Sequence, residues 1–295
     1  MRPALREPHL RPPGASRRPR LVAIQTLPTL VTLGNVLAGF LAIAYAADAA
    51  AQPAGSVARE ALWAKASWMI LLGMVCDALD GRVARLTGAA SSFGAELDSL
   101  ADMITFGVAP AFLAKGLAQA AFPSLPGRVA TLLALVYVVG AALRLARYNV
   151  ESNRVSEPGH VTRTFRGLPS PGAAGVVAGL ALFAREYPFA WVPILFAVIP
   201  PVLGLLMISR FGFPHIVNRY LAGSRSPFAI VFLLLGLVLA LDMPEVVLAA
   251  GFSLYALSGP VFAVARAIVG SPRWAADEED DEEVVRPDAD DAERS

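Results

Sequence analysis

"CDALDGRVARLTGAASSFGAELDSLAD", residues 76–102, sets five carboxylates, Asp77, Asp80, Glu96, Asp98 and Asp102, beside long apolar runs. A buried charge is costly unless it is paired or holds a metal, so this stretch carries both the fold and the chemistry. Asp77 and Asp80 are three residues apart and share one face of a helix. Asp98 and Asp102 are four apart and share a face of the next. Two adjacent helices can therefore converge four carboxylates. Unpaired, these groups repel one another, and divalent cations, which are hard ions that take oxygen ligands, relieve that repulsion. Glu96 lies off the shared face and is expected to be exposed or locally paired.

The residues around the stretch set the fold class. The chain has 295 residues, 56% of them hydrophobic and 17% charged, with a mean hydropathy of +0.55. That excludes an ordinary soluble domain, and nothing in the charge pattern suggests a nucleic-acid partner. A helix needs about 20 mostly apolar residues to cross a bilayer. Eight runs qualify: residues 27–47, 62–75 leading into the acidic stretch, one from Gly94 through "MITFGVAPAFLAKGLAQAAF", "VATLLALVYVVGAALRLARYNV", "PGAAGVVAGLALFA", "WVPILFAVIPPVLGLLMI", "PFAIVFLLLGLVLAL" and "EVVLAAGFSLYALSGPVFAVARAIV". The expected fold is all-α, a polytopic membrane helical bundle of about eight transmembrane helices with both termini cytoplasmic.

Charge distribution supports that topology. With both ends inside, the inner segments hold 20 of the 25 Lys and Arg, as the positive-inside rule requires. The acidic stretch then faces the cytoplasm from the cell membrane. Residues 1–20 carry six Arg and no apolar core, so they read as a basic disordered arm and not a signal peptide. Residues 21–274 form the transmembrane domain. Residues 275–295 form an acidic disordered tail, with 11 Asp and Glu in the last 19 positions. Cys76, the one cysteine, reads as a packing residue. Trp63, Trp191 and Trp274 fall near span ends and are expected in the interfacial aromatic belt. Pro200-Pro201 is expected to kink or break the sixth span.

Small and basic residues complete the stretch. Gly94 lies one turn before Asp98 on its face, and Gly81 adjoins Asp80. Glycine admits a helix backbone or a ligand. Arg82 and Arg85 suit phosphate oxygens. Carboxylates for metal, glycine for close approach and arginine for phosphate describe phosphoryl transfer at a membrane surface. Two other readings stay open: helix-to-helix salt bridges between the acids and Arg82 and Arg85, and an ion pathway. The acids cluster at one end of two spans, and no inverted repeats with matched broken helices are visible, which argues against a transporter.

The pattern Asp77-x2-Asp80-Gly81-x2-Ala84-Arg85-x8-Gly94-x3-Asp98-x3-Asp102 resembles the signature of the CDP-alcohol phosphotransferase family of membrane enzymes. "PTLVTLGNVLAGFLAI" (28–43), "ALRLARYNVE" (142–151) and "FRGLPSPGAAG" (165–175) are similar to its serine-using branch. The resemblance covers roughly residues 21–270. It implies transfer of a phosphatidyl group from CDP-diacylglycerol to L-serine, with release of CMP and with divalent metal, Mg or Mn, as two ions. Glycerol 3-phosphate or inositol phosphate is the alternative acceptor. By resemblance, Asp77, Asp80 and Asp98 ligate metal, and Asp102 is the base and a further ligand. Gly81, Ala84 and Arg85 contact the CDP moiety, Gly94 admits the nucleotide, and Thr32 and Asn35 approach its cytidine end. The family also implies a homodimer, and small residues such as Gly172, Ala173 and Gly175 could pack helices closely.

An L-serine acceptor carries a carboxylate that needs a cationic partner. Arg144, Arg147 and Asn149, at the cytoplasmic end of the fourth span, are the first serine-binding candidates, with Arg166 and Ser170 in or beside the next loop after them. The same arginines could instead serve only as positive-inside anchors.

Overall fold

The computed structural model describes residues 19–87, 92–155, 167–189, 192–213, 238–239 and 241–269. Its elements are helices α1 (Pro19–Ala51), α2 (Val57–Thr87), α3 (Ser92–Asp102), a π-helical segment (Met103–Val108), α4 (Ala109–Ala121), α5 (Gly127–Val155), α6 (Ser170–Glu186), α7 (Val192–Ile208) and α8 (Pro244–Val269). No β-strand occurs among these residues. The expected arm 1–20 and tail 275–295 lie almost wholly outside the described residues, as do Trp191, Trp274 and nearly all of the expected seventh span.

Five helices are long and apolar enough to cross a membrane: Thr29–Ala51, Val57–Val83, Phe93–Ala121, Gly127–Glu151 and Pro244–Ala265. The protein is therefore an all-helical integral membrane protein, with five such helices among the described residues where the sequence suggests about eight. Part of the difference is length: α6 and α7 have 17 residues each, near the lower limit for a span. α7 runs unbroken through Pro200 and Pro201, so the expected break there is absent.

Local chemistry explains the joints. Between α1 and α2, Gly55 takes φ +73°, a left-handed conformation that glycine adopts without steric cost. Ser56 follows, and its hydroxyl accepts the Arg59 backbone N–H at 3.2 Å, capping α2. The run expected as a single span from near Gly94 is one, Phe93–Ala121, but it is α-helix, π-helix, α-helix in turn, and Pro110 accounts for the irregularity. Proline has no N–H and crowds the carbonyl four residues back, here that of Phe106. Across the π segment the Ala109 N–H reaches back five residues to the Ile104 carbonyl. The Tyr137 hydroxyl on α5, itself fully buried, donates to the Phe106 carbonyl at 3.0 Å.

Packing depends on small residues, because lipid tails provide little hydrophobic drive between helices and close backbone approach must replace it. α5 crosses α7 at Gly140 and Gly204: a Cβ on Gly140 would stand 2.6 Å from the Gly204 Cα. α6 is the central helix, buried continuously from Gly172 to Leu182. Gly172, Gly175 and Gly179 face Tyr255, Phe252 and Ala249 of α8. The glycines suggested for close helix packing are thus used within the chain. Trp63 departs from expectation: it is only 2% exposed and its ring packs on Gly116 of α4. Its partner lies 53 residues away in sequence, so proximity to a span end misplaced it.

The crossing glycines make a direct test. Gly140→Val should lower the melting temperature in detergent by an amount matching an overpacking cost of about 1–3 kcal/mol. Gly251→Val, where an added Cβ meets nothing within 4 Å, should change it little. Equal melting temperatures for the two variants would contradict the α5–α7 crossing.

Candidate active site

α2 and α3 bring the acidic residues together. α2 stays helical past its apolar portion and so carries Asp77 and Asp80 at its end. α3 enters from the other side with Asp98 and Asp102. Carboxylate oxygens of Asp77, Asp98 and Asp102 lie within 4.8 Å of one another. At an effective dielectric of about 20, unit charges at that spacing repel by roughly 3 kcal/mol per pair. Asp80 is outside this triad but adjacent to it, 5% exposed, with the Thr32 hydroxyl and the Gly81 backbone hydrogen-bonded to its carboxylate. Two buried carboxylate oxygens, Asp80 Oδ2 and Asp98 Oδ1, have no hydrogen-bond partner among the described residues. An all-carboxylate donor set with unsatisfied buried oxygens fits a hard divalent cation.

The remaining sequence candidates divide by position. Asn35 of α1 is fully buried. Its Nδ2 donates to Asp102 Oδ1 at 3.2 Å, and its backbone carbonyl accepts from Thr105 Oγ1 at 2.9 Å. Thr32 sits one turn earlier on the same helix, against Asp80. Gly81 has open space where a side chain would be, with no described helix packed on it. Gly94 is half-buried in α3 and Glu96 is exposed. Arg82 is exposed at the end of α2. Ala84 and Arg85 belong to that helix, but their side chains lie outside the described residues.

The three first serine-site candidates go to different places, and Arg166 lies outside the described residues. Arg144 of α5 points inward: its Nη1 donates to Ser170 Oγ at 3.0 Å, and Asp102 and Tyr255 are within its electrostatic reach. Arg147, one turn on, is exposed, its Nη1 3.5 Å from the Ile208 carbonyl at the end of α7. Asn149 ties α5 to α3, its Nδ2 donating to Ser99 Oγ at 3.0 Å. Arg144 therefore lies within electrostatic reach of the acidic centre, Asn149 borders it through the neighbour of Asp98, and Arg147 is turned away.

Three further residues belong to the site. Ser170 is fully buried at the start of α6 beside the Arg144 guanidinium. Tyr255 approaches from α8. Thr105 is fully buried beneath Asn35. Ser170 stands in the sequence beside the loop that follows the fourth span, but its pairing with Arg144 comes only through folding; Tyr255 has no local sequence signal. Thr105 has a faint one: it is the single polar side chain in "MITFGV", three residues after Asp102.

Residues 25–203 match the family model described as CDP-alcohol phosphatidyltransferase. The chain is 35% identical over 190 residues to a Helicobacter pylori protein named CDP-diacylglycerol–serine O-phosphatidyltransferase, covering 64% of this chain and 71% of that one. A Bacillus subtilis protein of the same name is 35% identical, covering 64% and 90%. One from Methanocaldococcus jannaschii is 31% identical, covering 66% and 77%. The matched region spans α1 through most of α7 and so contains every carboxylate of the centre, which places the chain in the CDP-alcohol phosphatidyltransferase family.

Proposed function

We propose that the protein transfers the phosphatidyl group of CDP-diacylglycerol to the hydroxyl of L-serine, giving phosphatidylserine and CMP. The observation that carries this reading is the convergence of Asp77, Asp98 and Asp102 within 4.8 Å, with Asp80 alongside, in a chain whose relatives bear the serine-transferase name. Four carboxylates at one centre suit two divalent ions, Mg or Mn, which when bound neutralise charge developing on the diphosphate and on departing CMP.

The chain's own groups supply the rest. Asp102 accepts the proton from the serine hydroxyl. The serine oxygen forms a bond to the phosphorus bearing the lipid, and the bond from that phosphorus to the CMP oxygen breaks. Positioning supplies much of the acceleration, since phosphoryl transfer asks for little other covalent chemistry. Arg144 is the group for the serine carboxylate: it lies beside Ser170 and faces Asp102, so an acceptor held there presents its hydroxyl to the base. Open space over Gly81 leaves room for the nucleotide, with Ala84, Arg85 and Gly94 along the same two helices. The acyl chains remain in the bilayer. The 20 of 25 cations on the inner segments of an eight-span arrangement support a site open to the cytoplasm of the cell membrane, with both termini on that side.

The first experiment is CMP release by purified protein in detergent with CDP-diacylglycerol and Mn, with L-serine, glycerol 3-phosphate or inositol phosphate as acceptor. Release should require serine, cease with chelator and return with added Mn or Mg. Asp102→Asn should lower turnover by roughly 10²–10⁴-fold while CDP-diacylglycerol still binds. Near-normal turnover in that variant would remove the base assignment, and release with another acceptor alone would remove serine.

The two arginines provide a second test. Arg144→Ala should raise the serine KM by roughly 10–100-fold, the range for losing a charge-assisted hydrogen bond, with a much smaller effect on the KM for CDP-diacylglycerol. Arg147→Ala should leave both within about threefold, as expected for an exposed rim charge. The reverse ranking would move the acceptor site to the α7 end.

A further inference from the structure

Asn35 makes a pair of contacts that general helix packing does not explain. It is fully buried on α1. The side-chain amide donates to Asp102 Oδ1 at 3.2 Å. Three residues beyond Asp102, Thr105 Oγ1 donates to the Asn35 backbone carbonyl at 2.9 Å. One residue of α1 is thereby tied at two points to the helical run that carries Asp102, at the junction where α3 passes into the π segment.

The unused half of the amide is informative. Asn35 Oδ1 is buried and has no hydrogen-bond partner among the described residues. Leaving a buried acceptor unmade is destabilising, and an unsatisfied buried group in a folded protein calls for an explanation. The amide orientation follows from its neighbour. The NH2 side faces Asp102, and the oxygen points away from it, toward Gly73. Glycine at 73 gives it room: a Cβ there would stand 2.9 Å from Asn35 Oδ1 and would also strike the Thr105 methyl. Gly39 provides the matching clearance on α1, where a Cβ would come within 2.9 Å of the Thr105 Cα. Two glycines and a threonine thus enclose an asparagine whose only side-chain hydrogen bond among the described residues is to Asp102.

We propose that Asn35 is a positioning residue for Asp102, with Thr105 fixing the Asn35 backbone, so that one carboxylate oxygen of Asp102 is tethered and the other is left for the reaction centre. This rests on the proposed role of Asp102, and it differs from a direct contact between Asn35 and the nucleotide. A tether of this kind pre-organises the ligand group before any metal or substrate arrives, and loss of such a partner typically costs about 10–100-fold in metal affinity or activity.

The test uses the full-length protein in detergent. Asn35→Ala, Thr105→Val and Thr105→Ser are compared for Mn2+ affinity without substrate, by electron paramagnetic resonance, and for kcat and KM separately. Asn35→Ala should weaken Mn2+ binding and lower kcat by roughly 10–100-fold, with the KM for CDP-diacylglycerol within about twofold of wild type. Thr105→Val should move both readouts in the same direction, and less than additively when combined with Asn35→Ala, because both act through one contact. Thr105→Ser, which keeps the hydroxyl, should recover most of the loss. If Asn35→Ala does not purify as a folded protein, the Thr105 pair carries the comparison. A raised KM for CDP-diacylglycerol with unchanged kcat and Mn2+ affinity would make Asn35 a nucleotide contact and overturn the proposal. Unchanged Mn2+ affinity and kcat would overturn it as well. The Mn2+ measurement needs no acceptor alcohol, so it stands apart from the choice of serine.

Discussion

Mutual repulsion among three carboxylates held within 4.8 Å is the constraint around which the rest of the structure is organised. Nothing in the apolar segments alone would bring Asp77, Asp98 and Asp102 together, and their charges oppose it. The surrounding helices must therefore hold them by packing strong enough to resist separation. α2 supplies a rigid helical extension, α3 meets it from the opposite direction, and α1 fastens both, through Thr32 at Asp80 and Asn35 at Asp102. The electrostatic cost in the free protein is what makes the centre receptive to divalent cations.

Glycine placement shows how this packing is achieved in a membrane. Gly39 and Gly73 let α1 and α2 close on Thr105, Gly116 seats Trp63, and Gly140 and Gly204 let α5 and α7 cross at backbone contact. Each contact lies away from the acidic centre or just beneath it. Gly81 differs from these in having open space over it among the described residues. The same residue type thus serves two purposes: filled clearances fix the helices, and the open clearance at Gly81 borders the centre.

The π segment links the scaffold to the chemistry. Pro110 removes a backbone donor, the helix responds over Met103–Val108, and Tyr137 supplies a hydrogen bond to the Phe106 carbonyl. Asp102 is the residue immediately before that segment, and Thr105 lies within it. π-Helical insertions recur at functional sites because they rotate the residues that follow relative to those before. Here the change of register falls between the Asp102 carboxylate and the Thr105 hydroxyl, which both meet Asn35.

Much of this was legible in the residues themselves. Hydropathy marks the membrane class because a bilayer-spanning helix must be apolar over its whole length. The spacings 77/80 and 98/102 declare shared helix faces, since helical periodicity is local. Family membership follows from the same motif. Other features depended on separation in sequence. Trp63 was expected at an interface and is buried, because its seat at Gly116 comes from another helix. Arg144 and Arg147 look equivalent in "ALRLARYNVE", yet one pairs with Ser170 of α6 within electrostatic reach of Asp102 and the other lies at the end of α7, because one turn apart on α5 they meet different neighbouring helices. Ser170, Tyr255 and the Asn35–Asp102–Thr105 node appear only when α1, α3, α5, α6 and α8 are assembled. Sequence alone determined which residues could do the chemistry, because residue type and helical spacing are local properties. Tertiary structure decided which of them meet, because that depends on long-range packing between helices and on no short-range pattern.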